Sequence, residues 1–196
     1  MKFVFLFFIS ISLCLNAQNT DINILKSINL NRSKNLDNTF KTISNSVAPA
    51  SFGIPLGVFF VGMIKHDSTI KNKGIYICAS AAISAGITIG LKYAVNRPRP
   101  YVTYPVIQNA VNQSDPSFPS GHTSFAFSTA ASLSLAFPKW YVAAPSFLWA
   151  CSVGYSRMDL GVHYPSDVLT GAVIGAGTSY LCFKANKWLD ERQRKK

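Results

Sequence analysis

Acidic residues are scarce in this sequence. Eight Asp+Glu stand against 19 Lys+Arg, the net charge is +11, and charged residues make up 14% of the 196 positions. A soluble domain carries about 25%, so the deficit favours a small polytopic membrane protein over a soluble all-helical domain. Cysteine is also scarce: four scattered residues form no disulfide framework, and Cys78, Cys151 and Cys182 fall in apolar runs where small buried hydrophobes are expected. No G-x-x-x-x-G-K-[ST], G-x-G-x-x-G or H-E-x-x-H occurs, so nucleotide-cradling loops and that metal motif have no support. Apolar residues, by contrast, make up 48%, with 14 Phe and 8 Tyr. That content excludes a disordered chain.

The amino end has the three-part shape of a secretory signal peptide. Lys2 precedes an apolar run from Phe3 to Leu15, and Asn16-Ala17 offers a cleavage point before Gln18. The run is short for a spanning helix; the alternative is an uncleaved anchor. Leu13 is too bulky for a lipoprotein site at Cys14. Either way, residue 18 is delivered across a membrane. Residues 18–46 are polar, with Ile22, Leu25, Ile28, Leu36, Phe40 and Ile43 at partly helical spacing and Asp21 placed to cap a helix start. They are expected as an amphipathic segment against the bundle or the membrane surface.

Five apolar segments follow, at about 47–64, 75–95, 121–137, 140–155 and 166–183. The expected fold is an all-α polytopic membrane bundle of about five spanning helices with an amino-terminal signal or anchor. Its division is 1–17, 18–46, a domain over 47–185 and a basic tail over 186–196. Gly and Pro inside the segments suit membrane helices. Ala81, Ala82, Ser84, Ala85 and Gly86, and then Gly171, Gly175 and Gly177, offer small-residue faces for close packing. With residue 18 outside, ten basic residues fall in inner connections and the tail, against seven in outer ones, as the positive-inside rule expects. The basic tail then meets anionic lipid, and no nucleic-acid partner is expected.

The chemistry-bearing residues sit at the outer helix ends. Lys92 closes the second segment, Arg97 follows it, Ser120-Gly121-His122 opens the third, Arg157 closes the fourth, and His163 and Asp167 flank the start of the fifth. Lys92, Arg97 and Arg157 supply positive charge for an anion, and arginine's fork matches phosphate oxygens. Backbone N–H groups of Ser120, Gly121 and His122 at a helix start bind anions too, Gly121 permits close approach of a ligand, and Ser120 suits an N-cap. His163 and Asp167 are four apart, so the carboxylate can take one imidazole proton and leave the other nitrogen nucleophilic. His122 is left to protonate a leaving oxygen. Arg99 is a secondary candidate, Asp159 a cap or a partner for Arg157, and Asp115, Asp67 and His66 are expected at the surface. Tyr101, Tyr104, Phe118 and Tyr164 are expected to line a lipid entrance or anchor the chain at the interface.

These residues resemble a family. Lys92 to Pro98, K-Y-A-V-N-R-P, resembles the first signature of the type 2 phosphatidic acid phosphatases, K-x6-R-P. Pro119 to His122 resembles the second, P-S-G-H. Ser156 to Asp167 resembles the third, S-R-x5-H-x3-D. The resemblance covers about residues 50–185. It implies a phosphatase in which His163 is the nucleophile, Asp167 orients it and His122 is the general acid. Lys92, Arg97, Ser120, Gly121 and Arg157 hold the phosphoryl oxygens. It implies no metal or other cofactor, and a membrane lipid phosphate as substrate: undecaprenyl diphosphate, phosphatidylglycerophosphate, phosphatidic acid or the phosphate of lipid A. The setting it implies is the bacterial inner membrane, with the site facing the periplasm or exterior. A soluble periplasmic acid phosphatase, or a membrane transport or structural protein, is the alternative reading.

Overall fold

In the computed structural model, residues 19–193 are described; the leader over 1–17 lies outside them. Every regular element among the described residues is helical. Helix α1 covers 19–29 and a 3-10 turn, Lys34–Leu36, leads into α2, Asp37–Asn45. There follow α3 (Val47–Ile64), α4 (Ser68–Val95), the single turn α5 (Pro100–Thr103), α6 (Gly121–Ala136), α7 (Trp140–Asp159) and α8 (Pro165–Gln193). The five apolar segments are the five long helices. Helix α8 runs past the apolar run because Ala185 to Arg192 is made largely of strong helix formers.

Local chemistry sets the boundaries. The Asp67 carboxylate accepts from Thr69 N at 2.8 Å and Ile70 N at 3.1 Å, capping α4. Asn96, left-handed at φ 48°, ends α4. Pro100 then restarts the chain at the first position of α5.

Helix α6 is the hub, packed on α8, α7, α4 and α3. The polarity is inverted relative to a soluble bundle. Ser80, Ser84, Thr88, Ser124, Ser128, Thr129, Ser132 and Ser179 are buried, while Phe52, Phe60, Ile64, Ile87, Leu148, Leu169, Val173 and Leu181 are exposed. The buried hydroxyls pair across helices: Ser84 with Ser124 at 2.8 Å, Thr129 with Ser51 at 2.9 Å, and Ser128 with Ser179 at 3.1 Å. Such pairing satisfies groups that hydrocarbon would leave unpaired. Among the described residues, three helical stretches are long and apolar enough to cross a membrane: Lys34–Ile64, Ser68–Thr103 and Pro165–Leu189. Helix α6 has only 16 residues, and α7 opens on Trp140-Tyr141 and is interrupted by Ser and Pro145. The cysteines do not form buried core: Cys151 is exposed, and Cys78 and Cys182 are half-buried.

The small-residue faces are used selectively. A Cβ on Gly171 would meet Ser120 O at 2.6 Å, and one on Gly175 would meet Ser124 O at 2.2 Å, so α6 and α8 touch backbone to backbone there. Gly177 and Gly86 face open space instead, because they lie off the contact stripe. Gly175→Ala should therefore destabilise the protein in detergent by about 1–3 kcal/mol, the usual cost of overpacking. Gly177→Ala should leave the thermal midpoint unchanged or raise it, since alanine favours a helix interior over glycine. Equal midpoints for the two variants would refute this packing.

Candidate active site

The antiparallel helix directions carry the ends of α4 and α7 and the starts of α3, α6 and α8 to one end of the bundle, and a backbone bond ties two of them. Ser120 N, at the entry to α6, donates to Asp167 O in the first turn of α8 at 3.0 Å. The P-S-G-H turn is thereby fixed beside His163. The carboxylate of Asp167 is fully buried. Its Oδ2 accepts from Ser117 Oγ and, at 2.9 Å, from Tyr164 N.

His163 is also buried, and its two ring nitrogens face different partners. Nδ1 lies 3.5 Å from both Asp167 Oδ2 and Ser117 Oγ. Nε2 lies 3.4 Å from Arg99 Nη1. A guanidinium only donates, so Nε2 presents its lone pair and Nδ1 carries the proton toward the carboxylate. Burial pushes the ring's pKa down to about 4; Arg157 and Arg99 add to that push, and Asp167 opposes it. The ring is therefore neutral at pH 7, as a nucleophile requires.

Among the cations, Arg99 lies on the Nε2 side. Arg157 is 1% exposed. Its Nη1 donates to Ser44 Oγ of α2, whereas Nε and Nη2 find no partner among the described residues. Asp159, expected as a cap or as a partner for Arg157, does not pair with it: among the described residues its carboxylate Oδ1 is itself buried and unpaired, and its carbonyl accepts from Asn29 at 2.8 Å. Lys92 donates to Asp115 at 2.7 Å and to the carbonyl of Pro116. Arg99 donates to Asp115 Oδ1 at 2.8 Å and to Val162 O at 2.9 Å. His122, at the start of α6, feels the charges of Arg157, His163, Asp115 and Arg99.

Arg97 is placed differently from the sequence expectation. Its Nη1 donates to Asp167 Oδ1 at 2.7 Å and its Nη2 to Asp21 Oδ2 at 2.9 Å, and the guanidinium lies 3.7 Å over the Tyr164 ring. Both terminal nitrogens are thus held by carboxylates behind Asp167, away from the Nε2 face. The reason is countable. Six residues after Lys92 end at Pro98, so K-x6-R-P is satisfied by Arg99-Pro100, and Arg97-Pro98 comes two positions early.

Asp115 is exposed, as expected, and is in addition the counter-ion of Lys92 and Arg99. Partial burial alone would raise its pKa, but those two cations hold it down to about 2. Ser120 does not cap α6 with its side chain. Its Oγ accepts from Thr123 Oγ1 at 2.9 Å, leaving its own proton to donate. A Cβ on Gly121 would meet protein only at 3.9 Å, so nothing in the fold itself demands glycine there.

A cavity of about 400 Å³ opens beside His122, lined by Val47, Ala48, Ser51 and Phe52 of α3 with Gly121 and Phe125. Tyr101, Tyr104, Phe118 and Tyr164, expected at a lipid entrance or as interfacial anchors, do not line it. Tyr101, Tyr104 and Tyr164 cluster instead with Ile107 against Ile22 and Leu25 of α1. Among the described residues, no group of three or more His, Cys, Asp or Glu is arranged to hold a metal ion.

The chain is similar to known proteins in sequence and in fold. The PAP2 superfamily pattern matches residues 73–191. Undecaprenyl-diphosphatase BcrC of Bacillus subtilis is 29% identical over 149 residues, covering 76% of this chain and 74% of that protein. Lipid A 1-phosphatase of Rhizobium johnstonii is 34% identical over 115 residues, or 55% of this chain; the match spans about half of that relative, 46%. The crystal structure of a transmembrane PAP2 type phosphatidylglycerolphosphate phosphatase from Bacillus subtilis is similar at TM-score 0.72 and 28% identity. That likeness covers 96% of this chain and 94% of the other.

Asp115 occupies Lys92 and Arg99, two cations suited by their charge to an anion. Asp115→Asn should lower the inhibition constant for inorganic phosphate by about 2- to 5-fold, the scale of a partly exposed ion pair. Weaker phosphate binding in the variant would show that Asp115 organises the cations rather than competing for them.

Proposed function

This chain belongs to the PAP2 superfamily, in its bacterial membrane-bound lipid phosphatase branch, and on that premise we propose that it hydrolyses the terminal phosphate of a membrane lipid through a phosphohistidine on His163. The observation that carries this reading is Arg157, a fully buried guanidinium with two unpartnered nitrogens. An unpaired buried cation is costly, and a phosphoryl group offset by Lys92, Arg99 and Arg157 removes that cost.

The steps follow from the placement. Nε2 of His163 attacks phosphorus while the bond from phosphorus to the lipid oxygen breaks. His122 gives that oxygen a proton. His122 then takes a proton from water, the water oxygen attacks the phosphohistidine, and inorganic phosphate leaves with His163 restored. Asp167 stabilises the positive charge that develops on the ring. Lys92, Arg99, Arg157, Ser120 and the N–H groups at Gly121 and His122 stabilise the equatorial oxygens. Three cations already face the phosphoryl position and would repel a divalent ion, which supports chemistry without a metal.

A lipid alcohol is favoured because the cavity beside the acid His122 is lined mainly by apolar side chains. The departing oxygen must sit next to His122, so the first carbons of the alcohol extend into this space. The candidate substrates are undecaprenyl diphosphate, phosphatidylglycerophosphate, phosphatidic acid and lipid A phosphate; from the diphosphate the departing oxygen belongs to a lipid phosphate rather than an alcohol. We place the five long helices across the membrane, the site on the extracytoplasmic side, and Lys65, Lys71, Lys73, Lys184 and Lys187 on the cytoplasmic side. The division into 47–185 and a tail from 186, and removal of residues 1–17, belong to the same proposal.

Purified protein should release phosphate from these lipids with excess chelator present. His163→Ala should abolish both turnover and acid-quenched phosphoenzyme. His122→Ala should slow alkyl phosphates by about 10²- to 10⁴-fold and a p-nitrophenyl ester far less. Label retained in His163→Ala rejects the assignment, and activity that needs added Mg²⁺ rejects the metal-free route.

For topology, the protein should stay in membranes through a carbonate wash, with its carboxyl end protected from protease added outside. Cleavage of that end in intact cells would reverse the orientation.

A further inference from the structure

Outside the residues matched by the family pattern, the amino-terminal segment places three buried polar side chains against the site. Asn29 of α1 donates to Gln108 O at 2.9 Å and Asp159 O at 2.8 Å. Ser44 of α2 holds Arg157. Asp21 of α1 goes further, because it carries a charge. Its Oδ1 accepts from Ser166 N at 2.8 Å, and its Oδ2 accepts from Ser166 Oγ at 2.6 Å and Arg97 Nη2 at 2.9 Å. Rather than capping its own helix, Asp21 caps the first turn of α8, the turn that carries Asp167.

We propose that Asp21 is a positioning residue for phosphoryl transfer: through Arg97 it sets how much negative charge Asp167 presents to His163. The proposal rests on the phosphatase reading of the site. Arg97 bridges two carboxylates, Asp21 at 2.9 Å and Asp167 at 2.7 Å. With Asp21 ionised, Arg97 is shared, and Asp167 keeps charge for the Nδ1–H of His163. Without Asp21, the whole guanidinium charge falls on Asp167, and the imidazolium-like ring of the transfer step is less well stabilised.

The other charges around His163 stay constant in this comparison. They are Arg157 from α7, Arg99 from the α4–α5 link, Lys92 with Asp115, and His122 from α6. Ser117 faces Nδ1 as a neutral group. Asp21 touches none of the groups proposed to contact the phosphoryl oxygens, so its effect belongs in kcat and not in substrate affinity.

The sign is specific. Asp21→Asn leaves Arg97 uncompensated, which disfavours the protonated ring and moves the acid limb of kcat to lower pH. Arg97→Gln removes a positive charge and moves the limb to higher pH. The double variant removes a neutral pair and returns the limb toward the wild-type position. The acid limb of kcat reports the ring in the substrate complex.

The experiment compares wild type, Asp21→Asn, Arg97→Gln and the double variant on one lipid phosphate, as full chains in detergent. Asp21→Asn should lower kcat about tenfold, the scale of one charge acting across an ion pair, with KM within about twofold. The double variant should recover most of that loss. Asn keeps an oxygen for Ser166 N, so α1 can still dock; restored rate in the double variant separates charge from folding. Limbs that do not move, or that move the same way in both single variants, overturn the proposal. So does a loss that the double variant does not relieve.

Should wild type prove inactive on every lipid, the phosphatase reading fails by itself. The same order of shifts is then read from His163 ring NMR with inorganic phosphate bound. The chain has only three histidines, so the signals can be assigned by single substitutions.

Discussion

The structure depends on holding cations at one end of a helix bundle with few anions to offset them. Lys92, Arg99 and Arg157 are each under a tenth exposed, and Arg97 is half-buried. Removing such groups from water costs several kcal/mol per ion unless they are paired. The chain has eight acidic residues, and Asp21, Asp115 and Asp167 serve this cluster. Asp167 is shared between a histidine and an arginine, and Asp115 between a lysine and an arginine. Among the described residues, Arg157 has only a serine. The result is a pocket with positive charge left over, at the place where two histidines converge. On the proposed reading, binding of a phosphate dianion is favoured because the fold has already met most of the cost of assembling its counter-charges.

Close helix packing turns that electrostatic arrangement into geometry. Glycines at 171 and 175 let α8 lie backbone to backbone on α6, and the same approach allows Ser120 N to bond Asp167 O. Packing and chemistry thus share one contact. The serines and threonines buried along α4, α6 and α8 pair with each other, so the bundle keeps a polar interior and an apolar exterior. That inversion explains the composition: a lipid-facing surface needs no charges.

Much of the site was legible because its residues are close in sequence and tied to helix ends. The four-residue interval from His163 to Asp167, the helix start at Gly121, and Lys92 near the end of an apolar run each follow from spacing. The choice between Arg97 and Arg99 turned on two residues in a proline-flanked loop, where periodicity gives no direction. Counting the interval from Lys92 would have selected Arg99. Asp115 carried no such signal, since a lone aspartate in a polar loop looks like surface until the loop folds over two cations. Asp21 and Ser44 were hidden for the same reason: they lie far along the chain, in a segment whose visible pattern was an apolar stripe.

The sequence by itself determined an all-helical membrane bundle, the end at which the chemistry collects, and the residue types that perform it. Hydrophobic run length, helix-end residues and charge scarcity are local properties, readable along the chain. Only the tertiary structure decided which cation faces Nε2 of His163, which carboxylate neutralises which base, and that the amino-terminal helices complete the site. Those outcomes depend on pairings between residues up to 145 positions apart, such as Asp21 with Ser166. Which charge pairs with which is set by the few ångströms that packing leaves between helices, and no one-dimensional pattern contains that distance.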